Sequence, residues 1–165
     1  MFFSADKVQI CCWVDAAFAN LTEGRSVGTH FLSVGRNNAP FSTVVKFLAV
    51  PTNPTDAEYM NTCSAAKLVK HFCYLSAFLG WPQATVPMYL DSQTAINLAQ
   101  APQVSKKSLH IDVKYHYIRS CCADGSISLV HVPTAKHRAN VITKVLAGKS
   151  PFLLGRAQLL NTYAM

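Results

Sequence analysis

The sequence predicts an α/β fold: a mixed five-stranded sheet, three antiparallel strands and then two parallel additions, flanked by helices. Two observations predict it. Three strand-like segments lie close together before residue 50, with turn-rich sequence and no helix-length pattern between them. From Thr55 onward the apolar period becomes helical, and each later strand-like run is separated from the next by helical sequence.

Val8–Val14 is a continuous apolar run without alternation, as a strand covered on both faces requires. Ser26–Val34 alternates through Val27, Thr29, Phe31 and Ser33, and Phe41–Phe47 is β-branched and aromatic. Between them, Gly35-Arg36-Asn37-Asn38 signals a turn. Over Thr55–Leu79, the spacing of Leu68, Phe72, Leu75 and Leu79 predicts a helix, with Leu68, Phe72 and Leu75 in the core. Thr55 is the expected cap, and Gly80 and Pro82 stop the helix. Val86–Leu90 is a short strand, followed by a helix seeded at Ser92. A third helix is expected over Ile111–Ala123, ended by Asp124-Gly125. A last strand at Ile127–His131 precedes a short helix at Ala139–Leu146 and a terminal one at Leu153–Leu160. The order is βββαβααβα with one further helix. The whole chain is read as a single domain, with residues 1–7 and about 150–165 peripheral.

Half of the residues are apolar, yet no run approaches the roughly 18–20 residues of a membrane span. Met1-Phe2-Phe3 is too short for a secretory apolar region. An intracellular protein without a membrane partner is expected. The net charge of +7 arises in the last third: residues 1–100 balance six Lys/Arg against six acids, whereas residues 101–165 set nine against Asp112 and Asp124. Such a basic segment suits a polyanion, nucleic acid above all; a surface that only aids solubility is the bland alternative. The six cysteines show no C-x-x-C spacing and are read as reduced and structural, with Cys11 and Cys12 in a buried strand.

Only eight residues are acidic, so two at strand ends are unexpected as mere solvation. Asp15 closes the first apolar run, Asp91 closes Val86–Leu90, and Glu58 opens the long helix. Carboxylates at adjacent strand ends can hold divalent cations between them, and a paired-metal site cleaves or joins phosphodiesters.

Four stretches carry a family resemblance. WVDAAFAN (Trp13–Asn20) is similar to Y-S-D-A-D-W-A-G, and PTDAEYM (Pro54–Met60) to S-S-T-E-A-E-Y-M, continuing without a gap to GWPQ (Gly80–Gln83). YLDSQTAINLA (Tyr89–Ala99) is similar to C-D-N-Q-S-A-I-x-L-A. SLHIDVKYHYIRS (Ser108–Ser120) resembles K-H-I-D-I-R-Y-H-F-I-R, and HVPTAKHRANVITKVL (His131–Leu146) resembles Y-V-P-T-x-x-Q-x-A-D-I-F-T-K-x-L. In this order the motifs resemble the ribonuclease H domain of copia-type retrotransposon Pol polyproteins, over nearly the whole chain.

The resemblance implies a ribonuclease H-like fold and metal-dependent hydrolysis of the RNA strand of RNA–DNA hybrids. It implies two Mg²⁺ ions, with Mn²⁺ able to substitute and no small-molecule cofactor. Asp15, Glu58 and Asp91 take the positions of the family's metal-holding acids, with Asp15 expected to bridge the ions. The fourth acid falls on Asn140, an amide that keeps an oxygen donor but removes a charge, so weaker binding of the second ion is implied. No Asp or Glu follows Asp124 as a substitute, and Asp56 should lie on the far side of the helix from Glu58. Lys106, Lys107, Lys114, Arg119, Lys136 and Arg138 are candidate phosphate contacts. The hybrid would be recognised through 2′-hydroxyls and groove shape.

His137, three residues before Asn140, is placed by the resemblance near a proton-transfer role, although a solvated loop position is its plainer reading. His110 and His116 lie six apart and share no helix face, so packing or hydrogen bonding is expected of both. Asp112 should pair locally. The reverse transcriptase part of the same polyprotein is the implied partner, and the implied location is cytoplasmic, within virus-like particles, or nuclear.

Other departures are Ala17 and Phe18 for the second acid and the Trp of S-D-A-D-W, loss of W-S-S-K-K-Q around Ser42–Phe47, and Pro51 and Pro54. A catalytically inactive nucleic-acid-binding or scaffold remnant is the competing reading. An integrase core or transposase needs a late Glu, and no Glu follows Glu58. A Ser/His/Asp hydrolase lacks its G-x-S-x-G elbow.

Overall fold

The structure, a computed structural model, describes residues 8–18, 26–35, 39–46, 50–101 and 113–139. Strands β1 (Ile10–Ala17), β2 (Val27–Val34) and β3 (Ala39–Lys46) form an antiparallel meander. Helix α1 (Pro54–Phe78) leads to β4 (Val86–Leu90), which lies parallel to β1. Helix α2 (Gln93–Gln100), a 3₁₀ turn (Val113–His116) and α3 (Tyr117–Ala123) precede β5 (Ile127–His131), parallel to β4. A second 3₁₀ turn covers Thr134–Lys136. The sheet order β3-β2-β1-β4-β5 puts β1 and β4 side by side near its middle.

The apolar run Ile10–Val14 in β1 has the expected cause. Cys12 and Val14 pack into the main core beneath α1, whereas Trp13, on the other face, joins Phe31 and Ala139, with Cys11 and Tyr89 against them. Cys11 is only half-buried, so the expectation of two equally buried thiols is corrected to Cys12 alone. The strand also runs two residues past Asp15, which lies inside β1 rather than at its end.

Helix α1 starts differently from the expectation. Asn53, not Thr55, is the cap: its Oδ1 accepts the Asp56 N–H at 2.9 Å while its Nδ2 donates to Asp56 Oδ2 at 2.9 Å, and Thr52 Oγ1 donates to the same carboxylate. Pro54 fits the first helical position, where its fixed φ is already helical and its missing N–H leaves no bond unmade. Asp56 is thereby a capping residue. At the other end Gly80 adopts φ +89°, Trp81 N–H donates to Ser76 O (2.8 Å), and Gly80 N–H donates to Ala77 O (3.0 Å), the paired bonds of a Schellman ending. Gln83 then staples this corner to the sheet, accepting from Ile10 N (3.1 Å) and donating to Val8 O (2.7 Å).

The buried stripe of α1 is not the predicted one. Leu68 and Phe72 pack at the core margin, but Leu75 and Leu79 are exposed. The buried apolar residues of α1 lie nearer its start and mix sizes, Tyr59 and Met60 together with Ala57, Cys63, Ala65, Ala66 and Val69. Leucine spacing alone therefore misplaced its inner face. The third helix is shorter than expected, its opening turn being 3₁₀. The predicted helices at Ala139–Leu146 and Leu153–Leu160 lie outside the described residues, except for Ala139 itself, which sits in a turn. Among the described residues, no helix is long and apolar enough to cross a membrane.

Candidate metal centre

The adjacency of β1 and β4 brings Asp15 and Asp91 to the same end of the sheet. The two strands pair at Cys12 with Met88 and at Trp13 with Tyr89, two residues before the acids on each strand. Glu58 comes over this end from the second turn of α1, and its Oε1 accepts the Ala16 N–H at 3.0 Å. One carboxylate oxygen each from Asp15, Glu58 and Asp91 lie within 4.8 Å of one another. Asp15 and Glu58 are buried and Asp91 is half-buried.

Such proximity is costly for the chain alone. Two like charges at this separation repel by about 3 kcal/mol at an effective dielectric of about 20. A divalent cation reverses the sign of that contribution, and three hard oxygen donors are the set that Mg²⁺ and Mn²⁺ prefer. The donor chemistry therefore fits a divalent ion.

Neighbouring groups hold the acids in place. Thr134 Oγ1 donates to Asp91 Oδ2 at 3.0 Å, and His131 Nε2 lies 3.1 Å from the Asp91 carbonyl. Thr62 Oγ1 donates to the Glu58 carbonyl at 2.7 Å. Asn61, one turn after Glu58, is fully buried and donates to the Asp15 carbonyl at 2.8 Å. None of Thr62, Asn61 or Thr134 was singled out in the sequence. The available signal was a pair of polar residues on a helix face that also carries Ala57 and Ala65.

The basic candidates separate. Lys136 is exposed on the turn that follows β5, next to Thr134. Arg138 is half-buried with its guanidinium carbon 4.6 Å from the centre of the Trp13 ring, and burial lowers its pKa. Arg119 lies elsewhere. Its guanidinium donates to the Ala101 carbonyl at the end of α2, and it lines a cavity of about 710 Å³ with Thr85, Gly125 and Ser128. Those residues mark the starting ends of β4 and β5, opposite the carboxylates, so Arg119 does not join this site. Lys106, Lys107, the Lys114 side chain and Asn140 lie outside the described residues, as do His110 and Asp112.

His137 corrects the expectation of a solvated loop: it is 1% exposed, and its Nε2 lies 3.0 Å from the Tyr89 carbonyl, to which it donates. The expectation for His116 is met, since its Nδ1 lies 2.7 Å from the Tyr59 hydroxyl. Burial pushes that phenol up to about 12, which keeps Tyr59 neutral.

No family model matches the chain. It is 32% identical over 139 residues to the Retrovirus-related Pol polyprotein from transposon TNT 1-94 of Nicotiana tabacum, covering 81% of this chain. It is 30% identical over 144 residues to that from transposon RE2 of Arabidopsis thaliana, covering 86%. The chain spans about a tenth of the length of these curated relatives. Among solved structures, LC11-RNase H1 in complex with an RNA/DNA hybrid superposes with a TM-score of 0.59 at 18% identity, over 80% of this chain and 91% of that one. The architecture is thus a ribonuclease H-like fold.

Proposed function

Since the chain belongs with the ribonuclease H-like domains of copia-type retrotransposon Pol polyproteins, we propose that it is a divalent-metal-dependent endonuclease acting on the RNA strand of RNA–DNA hybrids. The observation that carries the reading is the convergence of Asp15, Glu58 and Asp91 within 4.8 Å. These three residues hold the metal, Mg²⁺ by preference with Mn²⁺ as substitute, and Asn140 supplies a weaker fourth position. When bound, the metal supplies Lewis acidity toward the scissile phosphate and lowers the pKa of attacking water.

The chain's own groups do the rest. Ala16 N–H orients Glu58, and Thr134 orients Asp91. His137 anchors the turn carrying Thr134 to β4, and we read it as a structural residue rather than a proton carrier because its ring is buried against Tyr89. Lys136 faces solvent where a backbone phosphate would approach, and Arg138 borders the same turn. The partners are the hybrid and the reverse transcriptase portion of the polyprotein, and the setting is intracellular, in virus-like particles or the nucleus.

The test is cleavage of an end-labelled RNA–DNA hybrid with Mg²⁺ and with Mn²⁺. Cleavage that Asp15→Asn abolishes supports the reading. Binding of the hybrid without cleavage under either metal would replace it with an inactive binding module. Gain of activity in Asn140→Asp would identify the missing charge as the weak point.

A further inference from the structure

Behind the carboxylates runs a buried polar chain that metal binding does not itself require. Asn61 donates through Nδ2 to the Asp15 carbonyl at 2.8 Å and to the Thr29 carbonyl at 3.4 Å. Its Oδ1 is therefore an acceptor, so the His30 Nε2 lying 2.9 Å away carries a hydrogen. That leaves His30 Nδ1 bare, and it accepts from Thr43 Oγ1 at 3.1 Å. Every role in the chain Thr43–His30–Asn61–Asp15 closes on one neutral tautomer. Burial also favours neutral His30 by lowering its pKa from 6.5. The arrangement needs a glycine at position 28, because a Cβ there would overlap the Asn61 carboxamide.

We propose that Asn61, held by His30, is a positioning residue that sets the spacing between Asp15 and Glu58 and thereby the affinity of the site for divalent metal. The metal consequence rests on the nuclease reading above; the spacing role does not. Asp15 rides on β1 and Glu58 on α1, and the side-chain bonds that tie these elements here include two of different kinds. One, Ala16 N–H to Glu58 Oε1, uses a carboxylate oxygen that a cation can claim. The other, Asn61 to the Asp15 carbonyl, uses none, so it survives occupation of the site. A fully buried carboxamide is costly to desolvate, and its bonds to His30 and to the Asp15 and Thr29 carbonyls offset that cost while fixing its place.

The test uses the full chain, with calorimetric titration of Mn²⁺ and hydrogen exchange of the Ala16 amide. Asn61→Ala should weaken Mn²⁺ binding by about 10-fold, as loss of an outer partner of a metal ligand does, and speed exchange at Ala16. Val69→Ala, buried on the same helix, should lower the melting temperature while leaving both readouts at wild-type values. If Asn61→Ala behaves like Val69→Ala in both, the proposal is overturned. Should Asn61→Ala not fold, His30→Ala carries the test, with a smaller change in the same direction supporting it and no change overturning it. A wild-type chain that takes up no Mn²⁺ sinks the metal site. Faster Ala16 exchange in Asn61→Ala then still supports the spacing role, and unchanged exchange ends that as well.

Discussion

Along α1, the first turns bury Asp56, Glu58, Asn61 and Thr62, while the last turns leave Tyr74 and Phe78 73% and 87% exposed, with Leu75 and Leu79 beside them. One helix thus inverts the ordinary rule at both ends. The polar residues are tolerated inside because each is bonded: Asp56 to the cap, Glu58 to Ala16 N–H, Asn61 to the Asp15 carbonyl and Thr62 to the Glu58 carbonyl. The apolar residues outside, Tyr74, Leu75, Phe78 and Leu79, have no such local account. The contrast teaches that the packing of α1 is concentrated between Ala57 and Val69, where its first turns also hold a charged site in place.

The largest expected effect breaks the polar end. Asp15→Asn removes a proposed metal ligand worth several kcal/mol of transition-state stabilisation, so hybrid cleavage should fall by roughly 1,000-fold or more. In EDTA the same variant should melt no lower than the wild type, because one repelling charge has gone; a clear drop in melting temperature would show that Asp15 supports the fold rather than the chemistry. The apolar packing beside Glu58 and Asn61 comes next. Met60, 4% exposed, should cost about 2–5 kcal/mol on substitution by alanine, measured by urea unfolding. At the apolar end, Phe78→Ala should change stability by no more than about 0.5 kcal/mol. A larger loss would mean that Phe78 is covered in solution.

A pH prediction sharpens the polar side. Burial holds the pKa of His30 below 6.5, so as pH falls the unfolded chain binds this proton before the folded one. The stability from neutral His30 is whole above about pH 6.5 and is lost as pH drops through the folded value. Unfolding free energies measured from pH 7.5 downward should fall less steeply in His30→Gln than in the wild type. Smallest of all is a thiol effect near α3: burial pushes the half-buried Cys122 up to about 11, so its alkylation at pH 8 should be slow and should rise steeply toward pH 11.

Much of the fold was legible because its signals are local. The unalternating run in β1, the turn at Gly35 and the stop at Gly80 each depend on a few neighbouring residues. The inner face of α1 was not legible in the same way. Leucine spacing pointed to Leu75, which is exposed, whereas the core takes Tyr59, Met60, Cys63, Val69 and the alanines nearer the start of the helix, a choice set by how the elements pack together. Arg119 and Arg138 were alike as sequence. One reaches the end of α2 and the other lies over Trp13, because the elements carrying them pack at opposite ends of the sheet.

By itself, then, the amino-acid order determined the succession of strands and helices, the family, and the three acids able to act together, since periodicity and motif are properties of adjacent residues. Only the tertiary structure decided that these acids come within 4.8 Å, that Asn61 and His30 lie behind them and that His137 is enclosed. Asp15, Glu58 and Asp91 are dozens of residues apart, and their distance depends on strand order and helix approach. Those follow from packing the whole core at once, which no local window of sequence contains.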